Sequence, residues 1–131
     1  MNFTPLYITR DDHLQLRRLV GAIPPARGSA TLDRLRGELD RATVIDPAAM
    51  PADIVTMGAR VKFEDLYTGE IEEYTLTHPD QADIGAGRLS ILTPIGTALI
   101  GYRAGSIVDW PTPGGMRRLR IHAVSQPVPA A

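Results

Sequence analysis

Few residues in this chain could do chemistry, and their spacing argues against it. His13, His78 and His122 are the three histidines, and none stands four residues from another ligand as a helical metal site requires. A site assembled from distant residues remains the only route to metal. The absence of cysteine removes disulfides, thiolate nucleophiles and Cys-based zinc sites together. Glu70, Glu72 and Glu73 invite a reading as paired carboxylates for acid–base work. They follow a turn at Tyr67-Thr68-Gly69-Glu70, where solvated charge is the ordinary outcome. No Gly-x-Ser-x-Gly elbow exists, and Gly85-Ala86-Gly87 precedes a strand, so these glycines read as loop and not as a phosphate cradle. Arg118, Arg120 and His122 alternate with Leu119, Ile121 and Ala123, which makes one face of a strand basic and the other buried. Trp110, alone of its type, reads as the edge of a small core.

The elements that must position these residues fall into two parts. Thr9 can cap a helix with Asp12 three residues on, where the helix dipole favours acid, and Leu16, Leu19 and Val20 form its apolar stripe. Gly21 is a natural left-handed cap and Pro24-Pro25 cannot continue the helix. A second stripe, Leu32, Leu35, Leu39 and Ala42, follows a cap at Ser29 or Thr31 with Asp33 in the first turn. Two helices joined by the short Gly21–Gly28 link run antiparallel, a hairpin over about residues 9 to 44,. Each arm of roughly twelve residues reaches only about 18 Å. Such short stripes bury too little to fold alone, so the hairpin must lean on the rest of the chain.

Asp46-Pro47-Ala48-Ala49-Met50-Pro51 has linker composition with at most one helical turn, which sets the division at residues 1–50 and 51–131,. Beyond it the apolar period becomes two. Val61 and Phe63 alternate with Lys62 and Glu64, and the turn leads into Tyr74 and Leu76. A polar loop from His78 to Arg88 precedes a strand at Leu89 to Leu92. Thr93-Pro94 opens a short helix with Ile95, Ala98 and Leu99 inward. Ser106 to Trp110 and Arg117 to Val124 are strands joined by Pro113-Gly114-Gly115. These predict an α+β chain: a short helical hairpin plus a β-rich domain (about 54 to 125) of four to five mainly antiparallel strands with one helix,.

The net charge of −1 is balanced along the chain, seven Arg against six acids up to Met50 and seven basic against nine acidic residues after it. That excludes the basic footprint of a protein held on nucleic acid by its phosphates, and favours a protein partner. Apolar runs are too short to span a bilayer, and Met1 to Arg10 lacks a basic region followed by an apolar stretch,. A cytoplasmic, membrane-free monomer without cofactor is the expectation.

Three ordered stretches carry a resemblance. Gly37-Glu38-Leu39-Asp40-Arg41-Ala42, Met50-Pro51-Ala52-Asp53-Ile54-Val55-Thr56-Met57 through Arg60-Val61-Lys62-Phe63, and Leu92-Thr93-Pro94-Ile95-Gly96-Thr97-Ala98-Leu99-Ile100-Gly101 look like the Rnk family, bacterial regulators of nucleoside diphosphate kinase. The segment from Gly58 to Val124 also resembles the C-terminal domain of the Gre transcript-cleavage factors, including Asp65-Leu66-Tyr67-Thr68-Gly69-Glu70 and Pro111-Thr112-Pro113-Gly114-Gly115.

The resemblance implies a short N-terminal coiled coil on an FKBP-like domain that binds RNA polymerase near its secondary channel. It also implies docking through the loop Leu92, Thr93, Pro94 and Ile95, where Leu92 replaces the acid of the Gre aspartate-serine-proline pattern. Gre factors present acidic residues at a long hairpin tip to help hold a second magnesium ion, and hard cations need oxygen ligands. The tip here, Ala22-Ile23-Pro24-Pro25-Ala26-Arg27-Gly28, contains no carboxylate. Pro24, Pro25 and Arg27 could then only obstruct. The expected protein is not an enzyme: it competes with Gre factors without stimulating cleavage. Alternatives are an adaptor acting on nucleoside diphosphate kinase, or a peptidyl-prolyl isomerase suggested by the FKBP-like fold alone. The isomerase would need an aromatic cup built from Phe63, Tyr67, Tyr74, Tyr102 and Trp110.

Overall fold

The computed structural model describes residues 5–24, 29–112 and 114–127. Its N-terminal part begins with a strand the sequence does not announce, β1 (Tyr7–Thr9), which runs directly into helix α1 (Arg10–Gly21). Thr9 closes one and caps the other: its Oγ1 accepts the Asp12 amide at 3.1 Å, as the Thr9–Asp12 spacing requires. Leu16 and Val20 are buried, and Leu19 packs against the core. The end of α1 departs from expectation. Gly21 lies in the last turn and not in the left-handed region; Ala22 is the C-cap, with right-handed backbone. The amides of Ala22 and Ile23 satisfy the carbonyls of Arg18 and Val20, so no left-handed residue is needed.

Helix α2 (Ala30–Arg41) starts at Ser29, whose Oγ accepts the Leu32 amide at 3.2 Å. Leu32, Leu35 and Leu39 are its buried stripe. The chain then forms β2 (Thr43–Ile45), which pairs with β1 in parallel, Tyr7 opposite Thr43 and Thr9 opposite Ile45. Three-residue strands are too short for a period to show. After β2, Pro47–Ala49 make a single 3-10 turn capped by Asp46.

The larger sheet contains β3 (Arg60–Asp65), β4 (Ile71–Thr77), β5 (Arg88–Ser90), β6 (Ile107–Thr112) and β7 (Gly115–Ser125), in the order β5-β4-β3-β7-β6. All pairs are antiparallel except β4–β5, and helix α3 (Pro94–Leu99) follows β5. Strands β6 and β7 run further toward their shared turn than the expected Ser106–Trp110 and Arg117–Val124, and two other differences have a local cause. β5 stops at Ser90, because Ser90 itself folds back to bond the next residues, leaving Ile91 and Leu92 in a turn. The alternation along β7 breaks at a bulge: Lys62 stands opposite Ala123 and Phe63 opposite Ile121, with His122 between. Beyond that extra residue the faces exchange, so Ala123 is exposed and Val124 turns toward the core,.

A continuous core joins both parts. Leu16, Val20, Leu35 and Leu39 belong to the same buried cluster as Val61, Phe63, Ile100, Tyr102 and Ile121. Gly101, at φ +84°, receives the Tyr7 amide on its carbonyl at 3.0 Å. A Cβ there would stand 2.0 Å from Leu6 Cδ1. Polar ties reinforce the seam. Asp12 Oδ2 accepts the Met57 amide at 3.1 Å, Tyr102 donates its hydroxyl to Glu38 at 3.2 Å and accepts from Arg41 at 2.7 Å, and Arg34 donates to the Asp109 carbonyl of edge strand β6.

Candidate docking site

The loop between β5 and α3 is built by three side chains that hold its backbone. Ser90 Oγ accepts the Leu92 amide at 3.0 Å, while the Ser90 carbonyl accepts the Thr93 hydroxyl at 2.7 Å and the Thr93 amide at 3.1 Å. Thr93 Oγ1 in turn accepts the Gly96 amide at 3.0 Å, and Pro94 occupies the first helical turn. Below the loop, the fully buried Thr97 donates its hydroxyl to the Ile91 carbonyl at 2.8 Å. The four expected docking residues thus stand side by side, Leu92 and Thr93 in the turn and Pro94 and Ile95 in the first turn of α3. Pro94 is exposed, and Leu92, Thr93 and Ile95 are half-buried. Leu92 and Ile95 also pack on the core, so each offers only part of its side chain to a partner.

Gly96 is the residue on which this turn depends and which the motif alone did not single out. A Cβ at Gly96 would meet the Ser90 carbonyl oxygen at 2.3 Å and the Ile91 Cα at 3.1 Å. Only glycine lets α3 start this close to the end of β5.

At the other candidate surface, Pro24 is exposed after α1, while Pro25 and Arg27 lie outside the described residues. Asp33, the acid nearest the tip, is exposed and pairs with Arg36 at 3.4 Å. Both arms are twelve residues long.

The remaining candidates are dispersed. His13 Nε2 bonds the Leu39 carbonyl at 3.0 Å, His78 bonds Gln15 at 3.2 Å, and His122 bonds Glu64 at 2.7 Å. Among the described residues no three His, Asp or Glu side chains gather in a way that could hold a metal ion. Glu70 and Glu72 are exposed, and Glu73 pairs with Arg60. Gly85 and Ala86 lie in a single 3-10 turn, Ile84–Ala86, and Gly87 caps it in the left-handed region at φ +77°. The aromatic residues of the expected cup are spread out: Phe63 and Tyr102 are buried in the core, Tyr74 lies beside Phe63 with ring centres 6.1 Å apart, Trp110 is half-buried against the core, and Tyr67 is 80% exposed. Among the described residues no helix is long and apolar enough to cross a membrane.

Asp12 is the tie that sequence reasoning read only as a dipole partner. Burial raises its carboxyl above the ordinary 3.8, a shift that the hydrogen bonds from Met57 and Thr9 oppose without cancelling,. Tyr102 is pushed up to about 12, by burial first and then by the Glu38 charge beside it.

Comparison with known proteins joins these two halves. The Rnk N-terminus family model matches residues 4–45, and the model of the transcription elongation factor GreA/GreB C-terminal domain matches residues 50–126. The regulator of nucleoside diphosphate kinase of Escherichia coli (strain K12) is 42% identical over 93 residues, which are 71% of this chain and 68% of that protein. The transcription elongation factor GreA of Ralstonia nicotianae is 38% identical over 91 residues, 69% of this chain and 58% of that one. In three dimensions, a prokaryotic transcription elongation factor GreA/GreB from Nitrosomonas europaea superposes with a TM-score of 0.74 at 34% identity, covering 92% of this chain and 98% of the other. A twelve-residue-armed hairpin of the Rnk type on a GreA/GreB-type sheet domain places the chain in the Rnk family of regulators of nucleoside diphosphate kinase, a Gre-related family.

Proposed function

We propose that the protein is a non-catalytic regulator that binds bacterial RNA polymerase near its secondary channel and competes there with Gre factors without stimulating transcript cleavage. The observation that carries this reading is a GreA/GreB-type C-terminal domain over residues 50–126 joined to helical arms of only twelve residues. At about 1.5 Å per residue those arms reach roughly 18 Å. The linking sequence Ala22–Gly28 contains no carboxylate to hold a second magnesium ion,. Leu92, Thr93, Pro94 and Ile95 form the grip, and the stub with Pro24, Pro25 and Arg27 is a secondary obstacle. Excess protein is expected to slow Gre-stimulated transcript cleavage in backtracked complexes while giving no cleavage by itself. Equal cleavage rates with and without the protein would overturn the proposal. Leu92→Asp, which restores the acid of the Gre pattern, is expected to tighten competition severalfold.

A second reading is favoured by one specific observation, the 42% identity to a protein named a regulator of nucleoside diphosphate kinase. In that reading the protein is an adaptor for the kinase. A pulldown that resolves polymerase subunits from the kinase separates the two: retention of polymerase supports the first, retention of the kinase alone the second.

A further inference from the structure

Val61, Phe63, Leu119 and Ile121 point into the core that the sheet shares with the helices. Their neighbours along β3 and β7 therefore point to the opposite side of the sheet, where Lys62 and Arg120 are exposed. Strand register draws one row across that open face. Ile107 of β6 stands opposite Arg120 of β7, Arg120 opposite Glu64 of β3, and Glu64 opposite Ile71 of β4. Residues directly opposite share a face, so the row reads isoleucine, arginine, glutamate, isoleucine.

Both ends of the row present apolar side chains to water: Ile71 is 55% exposed and Ile107 41%. At the centre the charges are not joined to each other. Glu64 is held by His122 at 2.7 Å, and Arg120, although opposite Glu64, makes no ion pair among the described residues. Around the row, Arg60 is paired with Glu73 and Arg118 with Asp109. The face as a whole is close to neutral and offers a polyanion no run of free cations.

The order of the row selects its occupant. Let a second copy be turned by 180° about an axis parallel to the strands, between β3 and β7, so that the two open faces meet. Arg120 of each copy then faces Glu64 of the other, and Ile107 of each faces Ile71 of the other. The row is complementary to itself in charge and in apolar character, which is what a two-fold contact between identical surfaces requires. Sheets packed face to face keep their strands nearly aligned, as this axis demands. Beside the row Lys62 stands opposite Ala123, so across the axis each lysine stem meets a small side chain and its ammonium can reach the rim. We propose that this face is the contact between two copies of the chain in a weak, reversible dimer, in place of the monomer expected from the sequence. No residue of the docking loop takes part, so the dimer does not rest on the polymerase reading.

Sedimentation velocity of the full chain from about 10 µM to about 1 mM is expected to show an average mass rising from one chain toward two. Arg120→Glu and Glu64→Arg should each abolish the rise, because each sets like charges face to face. Mixed in equal amounts, these two variants should associate again, since each presents the charge the other lacks. A chain carrying both changes should self-associate as the parent does. Ile71→Ser should weaken association severalfold, and thermal melting of every variant checks that it is folded. A constant mass up to the highest concentration, a rise that Arg120→Glu leaves unaltered, or two single variants that stay apart when mixed would overturn the proposal. So would loss of polymerase retention by Arg120→Glu at constant mass, which would give the face to polymerase. Loss of Gre competition with the charge-swapped pairing intact would remove only the polymerase reading.

Discussion

Gly96 sits at the start of α3 where a side chain has no room, against the Ser90 carbonyl at the end of β5. Gly96→Ala must displace the Ser90 carbonyl or the start of α3. It is expected to lower stability by roughly 1–3 kcal/mol and to disorder the Leu92–Ile95 turn. Chemical denaturation of the variant beside Gly85→Ala checks this, because a Cβ at Gly85 meets nothing closer than 3.5 Å and should be nearly silent. Thr93→Ala removes an acceptor from the Gly96 amide and should cost about 1 kcal/mol, whereas Thr93→Ser should recover most of it. The identity of Thr93-Pro94 as a helix start was legible in the sequence, because capping is a contact between residues three apart. The need for glycine at Gly96 was not, because the oxygen that excludes a Cβ belongs to Ser90, across a turn of unknown shape.

Where elements meet, ionisation decides how firmly the hairpin holds. Asp12 joins α1 to the segment before β3, and its carboxyl keeps a proton to higher pH in the folded chain than in the unfolded one. The native state therefore binds more protons from about 3.8 upward, and stability falls as pH rises through the raised value,. Asp12→Asn keeps an acceptor for the Met57 amide and is expected to flatten that acid-side slope. Asp12→Ala strands a half-buried amide and should cost about 1–3 kcal/mol near neutrality. Urea denaturation across the acid range distinguishes the two. Tyr102 acts at the opposite limit: its phenol stays neutral to about 12 in the fold against 10.0 in the reference state. Its contribution is complete below 10 and fades as pH climbs from there toward 12. Tyr102→Phe is expected to weaken alkaline denaturation over that interval, with the largest change at the α2 seam. The stripes of α1 and α2 and the period-two strands were readable from spacing. The seam was not, since Asp12 and Met57 are 45 residues apart and Glu38 and Tyr102 are 64 apart.

For the molecule as a whole, the hairpin and the sheet domain share one core. Leu16, Val20, Leu35 and Leu39 are buried in the same cluster as Val61, Phe63 and Ile121. A peptide of residues 1–50 is expected to be largely unfolded by circular dichroism, because helices this short are marginal without tertiary packing. The full chain should melt in a single transition seen alike by far-ultraviolet signal and Trp110 fluorescence. Two separated transitions would mean that the halves fold independently.

What the sequence determined by itself was local: helix caps at Thr9, Ser29 or Thr31, and Thr93, two leucine stripes, alternating strands, and motifs that place the chain beside Rnk and Gre proteins. These rest on contacts within a few residues, or on ordered strings of residue types, and both survive without knowledge of the fold. Tertiary structure alone decided the rest. It paired β1 with β2, whose three residues each carry no readable period, and inserted the bulge at His122 that exchanges the faces of β7. It also set Ile107, Arg120, Glu64 and Ile71 in one row across the sheet. Each of these depends on register between strands far apart in the chain, and a one-residue shift in register moves every side chain to the opposite face.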